Sequence, residues 1–210
     1  MKYIIFDFDG TLADSTEVLM HAWNLVAEQH QFEKLHKEDI PALKNLSIQE
    51  RARKFRFPMY KLPVVLPKIY RYMKEHIDEI KLFDGIKEVL NSLGQMGYHI
   101  IILSSNDSEN IKLLLKQEQV NAVSQVLTSS KIFGKDAILK KFMKQENVVP
   151  EQCLYVGDEV RDILACKKVR VPVMWVSWGV DSYELIEKEK PDYIVNTPTE
   201  IIQTLTKKTQ

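Results

Sequence analysis

Two rhythms of apolar residues divide this chain. The first run, Tyr3-Ile4-Ile5-Phe6, is short and unbroken, the pattern of a strand buried on both faces. From Asp14 the spacing becomes helical. Asp14-Ser15-Thr16-Glu17 reads as a capping box, and Val18, Leu19, Ala22, Trp23 and Val26 follow on one helical face. Ser47-Ile48-Gln49-Glu50 reads as a second capping box. Val65, Ile69, Tyr72, Met73, His76 and Ile80 then predict a longer amphipathic helix from Pro63 to about Ile80. No strand is expected between residues 15 and 80.

The rhythm changes at Phe83-Asp84-Gly85. Short apolar runs at Tyr98–Leu103, Gln125–Thr128, Cys153–Val156, Val173–Val176 and Tyr193–Val195 predict strands. Helical patterns carried by Ile86/Val89/Leu90/Leu93, Ile111/Leu114/Leu115 and Ile138/Leu139/Phe142 lie between them. Such alternation predicts an α/β fold with a doubly wound parallel sheet. The first strand belongs with this half. The expected organisation is a core of residues 1–14 and 82–210, with an all-helical cap of residues 15–81 inserted after the first strand and folded over the sheet's carboxyl edge.

Composition narrows the picture. The 210 residues suit one core domain with a small insertion, and 45% hydrophobic content is enough for a substantial core. Lys plus Arg equals Asp plus Glu at 29 each, so the formal net charge is zero, which argues against a general nucleic-acid-binding surface. Cys153 and Cys166 fall in a predicted strand and helix and read as small core residues. The N-terminal apolar run is too short for a signal peptide, and nothing reaches membrane-spanning length. A soluble, cytoplasmic protein is expected, with its oligomeric state open between monomer and dimer.

The candidate chemistry sits where predicted strands end. Asp7 and Asp9 follow the first strand, and strand alternation would place both on one side with Phe6 and Phe8 pointing away. Crowded carboxylates resist joint ionisation unless a cation or a shared proton relieves them. One can then act as nucleophile and the other as acid and base, beside a hard divalent cation. The alternative is a strand followed by an Asx-rich turn. Ser104-Ser105-Asn106 places hydroxyls and backbone amides at a helix start, which suits a phosphate or simple capping. In Ile132-Phe133-Gly134-Lys135-Asp136-Ala137, Lys135 opposes the helix macrodipole, which hints at a nearby anion. In Gly157-Asp158-Glu159-Val160-Arg161-Asp162, two acids one helical turn apart are a better metal site than a cap.

Taken in order, these segments resemble the four motifs of the haloacid dehalogenase superfamily, in its phosphatase branch with a small helical cap. Asp7-Phe8-Asp9-Gly10-Thr11 is similar to the first, Ser104 to the second, Lys135 to the third, and Gly157-Asp158 through Asp162 to the fourth. Leu82-Phe83-Asp84-Gly85, Trp178-Gly179 and Pro191-Asp192-Tyr193 resemble the subfamily of phosphoglycolate phosphatases and β-phosphoglucomutases. The chain departs from that pattern at Asp136, at Glu159 and at Val169-Arg170.

The resemblance implies that Asp7 is the nucleophile and Asp9 the acid and base. It implies Mg²⁺ held by Asp7, the Asp9 backbone carbonyl and Asp158, with Asp162 and Thr11 in support, and phosphoryl oxygens bound by Ser104, Ser105 and Lys135. The implied activity is hydrolysis of a small phosphorylated metabolite. A sugar phosphomutase, and a non-catalytic phospho-aspartate signalling or binding protein, remain open alternatives. A basic run in the cap, with Arg51, Arg53 and Arg56 after Lys44 and Asn45, is either a solvated face or a reader of an anionic substrate.

Overall fold

The computed structural model describes residues 1–129 and 133–207. Ile132, at the head of the Lys135 segment, lies outside them. In chain order the elements are β1 (Tyr3–Phe6), β2 (Ala13–Asp14), α1 (Thr16–His30), α2 (Ile40–Leu43), α3 (Ile48–Lys54), α4 (Leu62–Glu75), β3 (Lys81–Leu82) and α5 (Ile86–Gln95). They continue with β4 (His99–Ser104), α6 (Ser108–Gln117), β5 (Val123–Thr128), α7 (Lys135–Glu146) and β6 (Cys153–Gly157). The chain closes with α8 (Val160–Val169), β7 (Val173–Val176), α9 (Tyr183–Glu189), β8 (Tyr193–Val195) and α10 (Pro198–Lys207).

Six strands form one sheet in the order β5-β4-β1-β6-β7-β8, and every pairing in it is parallel. This is the expected α/β doubly wound fold. β1 is buried throughout and lies between β4 and β6, the point from which the connections leave in opposite directions. Ligand crevices open at such switch points, outside the carboxyl ends of the strands.

The pleat sorts the strand residues into two cores. Ile4, Phe6, Ile100, Ile102, Leu154 and Val156 pack on one face with Ile86, Leu90, Ile111 and Leu114 of α5 and α6. Tyr3, Ile5, Ile101, Leu103 and Tyr155 pack on the other with Leu139, Phe142, Ile163 and Cys166 of α7 and α8. Both cysteines are free and buried, in keeping with a packing role.

β2 and β3 pair antiparallel as a two-residue ribbon, Ala13 with Leu82 and Asp14 with Lys81. Between its strands the chain is helical among the described residues. Trp23 anchors that segment, with its ring 5.4–6.0 Å from those of Phe32, Phe55 and Phe57. Three local expectations need correction. The Asp14–Glu17 capping box does not form: Ser15 takes the cap position of α1, one residue later, with its hydroxyl on Asp9, and Asp14 Oδ1 accepts only the Thr16 N–H at 3.4 Å. The helix expected from Pro63 to Ile80 ends at Glu75, and a 3-10 turn at Ile77–Glu79 brings the chain into the ribbon. The ribbon itself was not expected. The Ser47–Glu50 capping box is present. Among the described residues, no helix is long and apolar enough to cross a membrane.

Candidate active site

The site is built where β1 stops. Asp7 donates its backbone N–H to Val156 O at 2.9 Å and so stays in line with the sheet. The chain then folds back sharply, with Phe8 O accepting the amides of Thr11, Leu12 and Ala13. Gly10 takes φ +78° at the bend, and a Cβ there would stand 2.4 Å from an Asp158 oxygen. Asp7 thus extends the β1 ladder by one residue, while the turn that follows presents Asp9. Phe6 and Phe8 do share one core, as alternation suggested.

Asp7 is buried. Its Oδ1 accepts the Phe8 N–H at 2.7 Å and its Oδ2 accepts from Lys135 Nζ at 2.6 Å. Lys135 is the first residue of α7 and is only 2% exposed, and it reaches Asp162 Oδ1 at the same 2.6 Å. The anion inferred from its unfavourable helix position is thus a pair of carboxylates within the protein. Burial works against the ammonium, but Asp162 and Asp7 outweigh it and push its pKa up to about 12.

Asp9 faces another set of partners. Ser15 Oγ donates to its Oδ1 at 2.7 Å, and Asn106 Nδ2 to its Oδ2 at 3.0 Å. Burial lifts its pKa from the ordinary 3.8 to about 6, with Asp7's charge adding to the rise and both hydrogen bonds opposing it. Asn106 is itself held, its backbone N–H donating to Ser104 Oγ and its side-chain oxygen accepting from Asn110. Ser104 is the buried last residue of β4, beside the end of β1. Ser105 meets the hydroxyl of Tyr70 from α4. Helix α6 is capped by Asp107 rather than by either serine.

A third acid approaches from β6. Asp158 is fully enclosed, accepting from Thr11 Oγ1 at 2.7 Å and from the Val180 N–H at 2.8 Å. Burial, then Glu159, Asp7 and Asp162, push its pKa far up. Asp162 sits in the first turn of α8 and takes Lys135 on one oxygen and the Glu159 N–H on the other. Burial raises its pKa and Lys135 counteracts.

One oxygen from each of Asp7, Asp158 and Asp162 lies within 4.8 Å of the others. Three carboxylates against one ammonium leave negative charge in a dry place, and an all-oxygen donor set without Cys or His suits a hard divalent cation. The residues therefore fit a metal. The Asp162 carboxylate, expected only in support, lies within the cluster itself, and the Asp9 carboxylate turns to Ser15 and Asn106.

Sequence reasoning missed Ser15 and Asn106 as donors to Asp9, having placed the first in a capping box and the second in a segment suited to a phosphate or to capping. It also missed Arg161, a mostly buried cation whose Nε is 2.6 Å from Glu159 Oε2 and whose charge is felt at Asp9, Asp162 and Lys135.

The basic run divides. Lys44 Nζ donates to Gly179 O at 2.7 Å, and Arg51 pairs with Asp181. Arg56 pairs instead with Glu33 at 3.2 Å, and Arg53 and Asn45 are exposed. A largely apolar cavity of about 630 Å³ lies between helices α1 to α4 and the core, with Trp23, Phe55, Lys44, Arg51, Trp178 and Gly179 in its wall. None of the clustered carboxylates lines it.

Comparison with known proteins adds to this geometry. The family described as haloacid dehalogenase-like hydrolase matches residues 4–176. A phosphoglycolate phosphatase of Synechococcus elongatus is 28% identical over 207 residues, covering 98% of each chain. A pyrophosphatase, PpaX, of Bacillus mycoides is 21% identical over 97% of this chain and 96% of its own. Among solved structures, a haloacid dehalogenase-like family hydrolase from Streptococcus pneumoniae superposes with a TM-score of 0.81 at 20% identity, covering 98% of each chain, and so shares the fold.

Proposed function

The chain belongs to the haloacid dehalogenase-like hydrolases, and on that premise we propose that it is a Mg²⁺-dependent phosphatase acting on a small phosphorylated metabolite through an aspartyl phosphate. One observation carries the reading. Asp7 is a buried carboxylate with a cation 2.6 Å away, and the next carboxyl along, Asp9, has a pKa of about 6. A group poised there can give a proton in one step and take one in the next.

Asp7 attacks phosphorus, and the bond to the leaving oxygen breaks as Asp9 supplies that oxygen's proton. Asp9 then takes a proton from water. The water oxygen attacks the aspartyl phosphate, releasing inorganic phosphate and restoring Asp7. Lys135 offsets Asp7's charge while an anionic substrate approaches, and Ser104, Ser105 and nearby backbone amides bind phosphoryl oxygens. Asp7, Asp158, Asp162 and the Asp9 carbonyl would hold Mg²⁺, which when bound neutralises charge shared by nucleophile and phosphoryl group. Residues 15–81 act as a cap over residues 1–14 and 82–210.

The substrate assignment follows the relative named phosphoglycolate phosphatase. The test is release of inorganic phosphate by chelated and Mg²⁺-restored protein, from an aryl phosphate, phosphoglycolate, pyrophosphate and hexose phosphates. Mg²⁺-dependent release from a small monoester is expected. Hexose phosphate isomerisation without phosphate release would establish a mutase instead, and inertness toward every compound would overturn the enzymatic reading.

A further inference from the structure

One core loop, residues 177–182, touches both the helical segment and the acid cluster. From the helical side, Lys44 Nζ donates to Gly179 O at 2.7 Å, the Ser182 N–H donates to Lys44 O at 2.9 Å, and the Arg51 guanidinium pairs with Asp181 Oδ1. Arg51 Nε also holds Leu43 O at 2.9 Å, so α2 and α3 move with it. From the core side, Asp181 Oδ2 accepts the Val160 N–H at 2.7 Å. Val160 opens α8, where a carboxylate satisfies an otherwise unpaired amide and complements the helix dipole. Asp181 is only 7% exposed, so this is not a solvated surface pair of negligible worth.

The neighbour of Asp181 completes the connection. The Val180 N–H donates to Asp158 Oδ2 at 2.8 Å, and Thr11 Oγ1 holds the other oxygen at 2.7 Å. Trp178 Nε1 donates to Thr11 O at 3.1 Å, so the loop supports both donors. Gly179 packs so tightly that a Cβ there would come within 2.2 Å of Asp158 Cβ. Little separates a displacement of this loop from a displacement of the Asp158 carboxylate.

We propose that Asp181 is a positioning residue that transmits the docking of α3, through Arg51, to the orientation of the Asp158 carboxylate. Docking of the helical segment and binding of a divalent cation then reinforce each other, since coupling between two equilibria is reciprocal. Arg51 and Lys44, which the sequence left between a solvated face and a reader of substrate, serve on this account to latch the cap. The inference rests on the metal-site part of the proposed function.

The test uses the whole protein, stripped by chelation, with Mg²⁺ binding measured by calorimetry without substrate and amide exchange followed at Val160 and Val180. Asp181→Asn keeps an acceptor for Val160 but loses the ion pair, whereas Asp181→Ala loses both. Arg51→Gln removes the pair from the other side. Each is expected to weaken Mg²⁺ binding by at least about fivefold, with Ala worse than Asn and the Arg51→Gln/Asp181→Asn double variant no worse than the weaker single. Faster exchange at Val180 should accompany the loss, and Mg²⁺ should slow that exchange in the parent.

Arg56→Gln, which breaks a pair confined to the helical segment, is the control and should bind like the parent. Parent-like Mg²⁺ affinity in folded Asp181→Asn and Arg51→Gln overturns the latch and leaves the phosphatase reading standing. A parent that binds no Mg²⁺ removes the metal site itself. Should Asp181→Ala fail to fold, the Asn and Gln variants and the parent's exchange at Val180 still decide the matter.

Discussion

The Lys135 ammonium lies 2.6 Å from Oδ2 of Asp7, with both side chains enclosed by protein. Removing one partner of such a pair strands the other, which costs about 3–5 kcal/mol. Lys135→Met should therefore abolish turnover and lower the urea midpoint of the metal-free protein sharply. Added Mg²⁺ should recover more stability in this variant than in the parent. An unchanged midpoint would contradict the pairing.

Asp7→Asn should be inactive, because an amide is a poor nucleophile and the acid cluster loses a charge. Steady-state phosphate release measures this, and full activity would sink the mechanism. Asp9→Asn should discriminate between substrates. Aryl phosphates need little proton donation to the leaving oxygen, so they should suffer less than alkyl phosphates.

Asp9 also predicts a pH effect on stability. Its folded pKa of about 6 exceeds the ordinary 3.8, so the folded state holds the proton more tightly than the unfolded state. Its contribution is favourable below pH 3.8 and is lost as pH rises through 6. Asp9→Asn should accordingly stabilise the chelated protein at pH 7 by about 1–2 kcal/mol, the full shift being discounted for water at the group's exposed edge. The gain should vanish near pH 4. Denaturation of parent and variant at both pH values provides the comparison, and an equal difference at both would refute the assignment.

Gly179→Ala is expected to force Asp158 aside, destabilising by about 1–3 kcal/mol as overpacking does. Its signature is a raised Mg²⁺ requirement together with a lower melting temperature. Normal metal affinity in this variant would mean that the loop yields where the carboxylate was expected to.

Arg53→Ala and Arg56→Ala should change stability by no more than about 0.5 kcal/mol, as surface substitutions do. Neither should alter the Michaelis constant for any phosphate ester. A several-fold rise for an anionic metabolite would return these residues to the substrate.

What could be read from sequence follows from how local each signal is. β1, β6 and β7 are unbroken apolar runs because both their faces are buried, so composition alone marks them. β5 is an edge strand with exposed positions, and its first two residues, Val123 and Ser124, went unrecognised. The β2–β3 ribbon pairs two residues with two others far along the chain, which no window of sequence can display. Asp7, Asp9, Lys135, Asp158 and Asp162 stood out as charges at strand ends and helix starts. Ser15 did not, because the same hydroxyl suits a helix cap or a donor to Asp9, and only tertiary contact chooses. Arg51 was legible as a cation, but its partner Asp181 lies 130 positions away.

The two-residue ribbon has an evolutionary consequence. With Ala13 beside Leu82 and Phe83 N–H bonded to Leu12 O, the chain leaves and re-enters the sheet domain at nearly one point. The loop-closure entropy charged to an excursion grows only slowly with its length, so whatever hangs between those points can be enlarged, trimmed or exchanged with little penalty to the parent scaffold. The ribbon is a natural splice point. Recombination there would leave β1 and its turn in place, provided the incoming segment still offered Asp181 a cation.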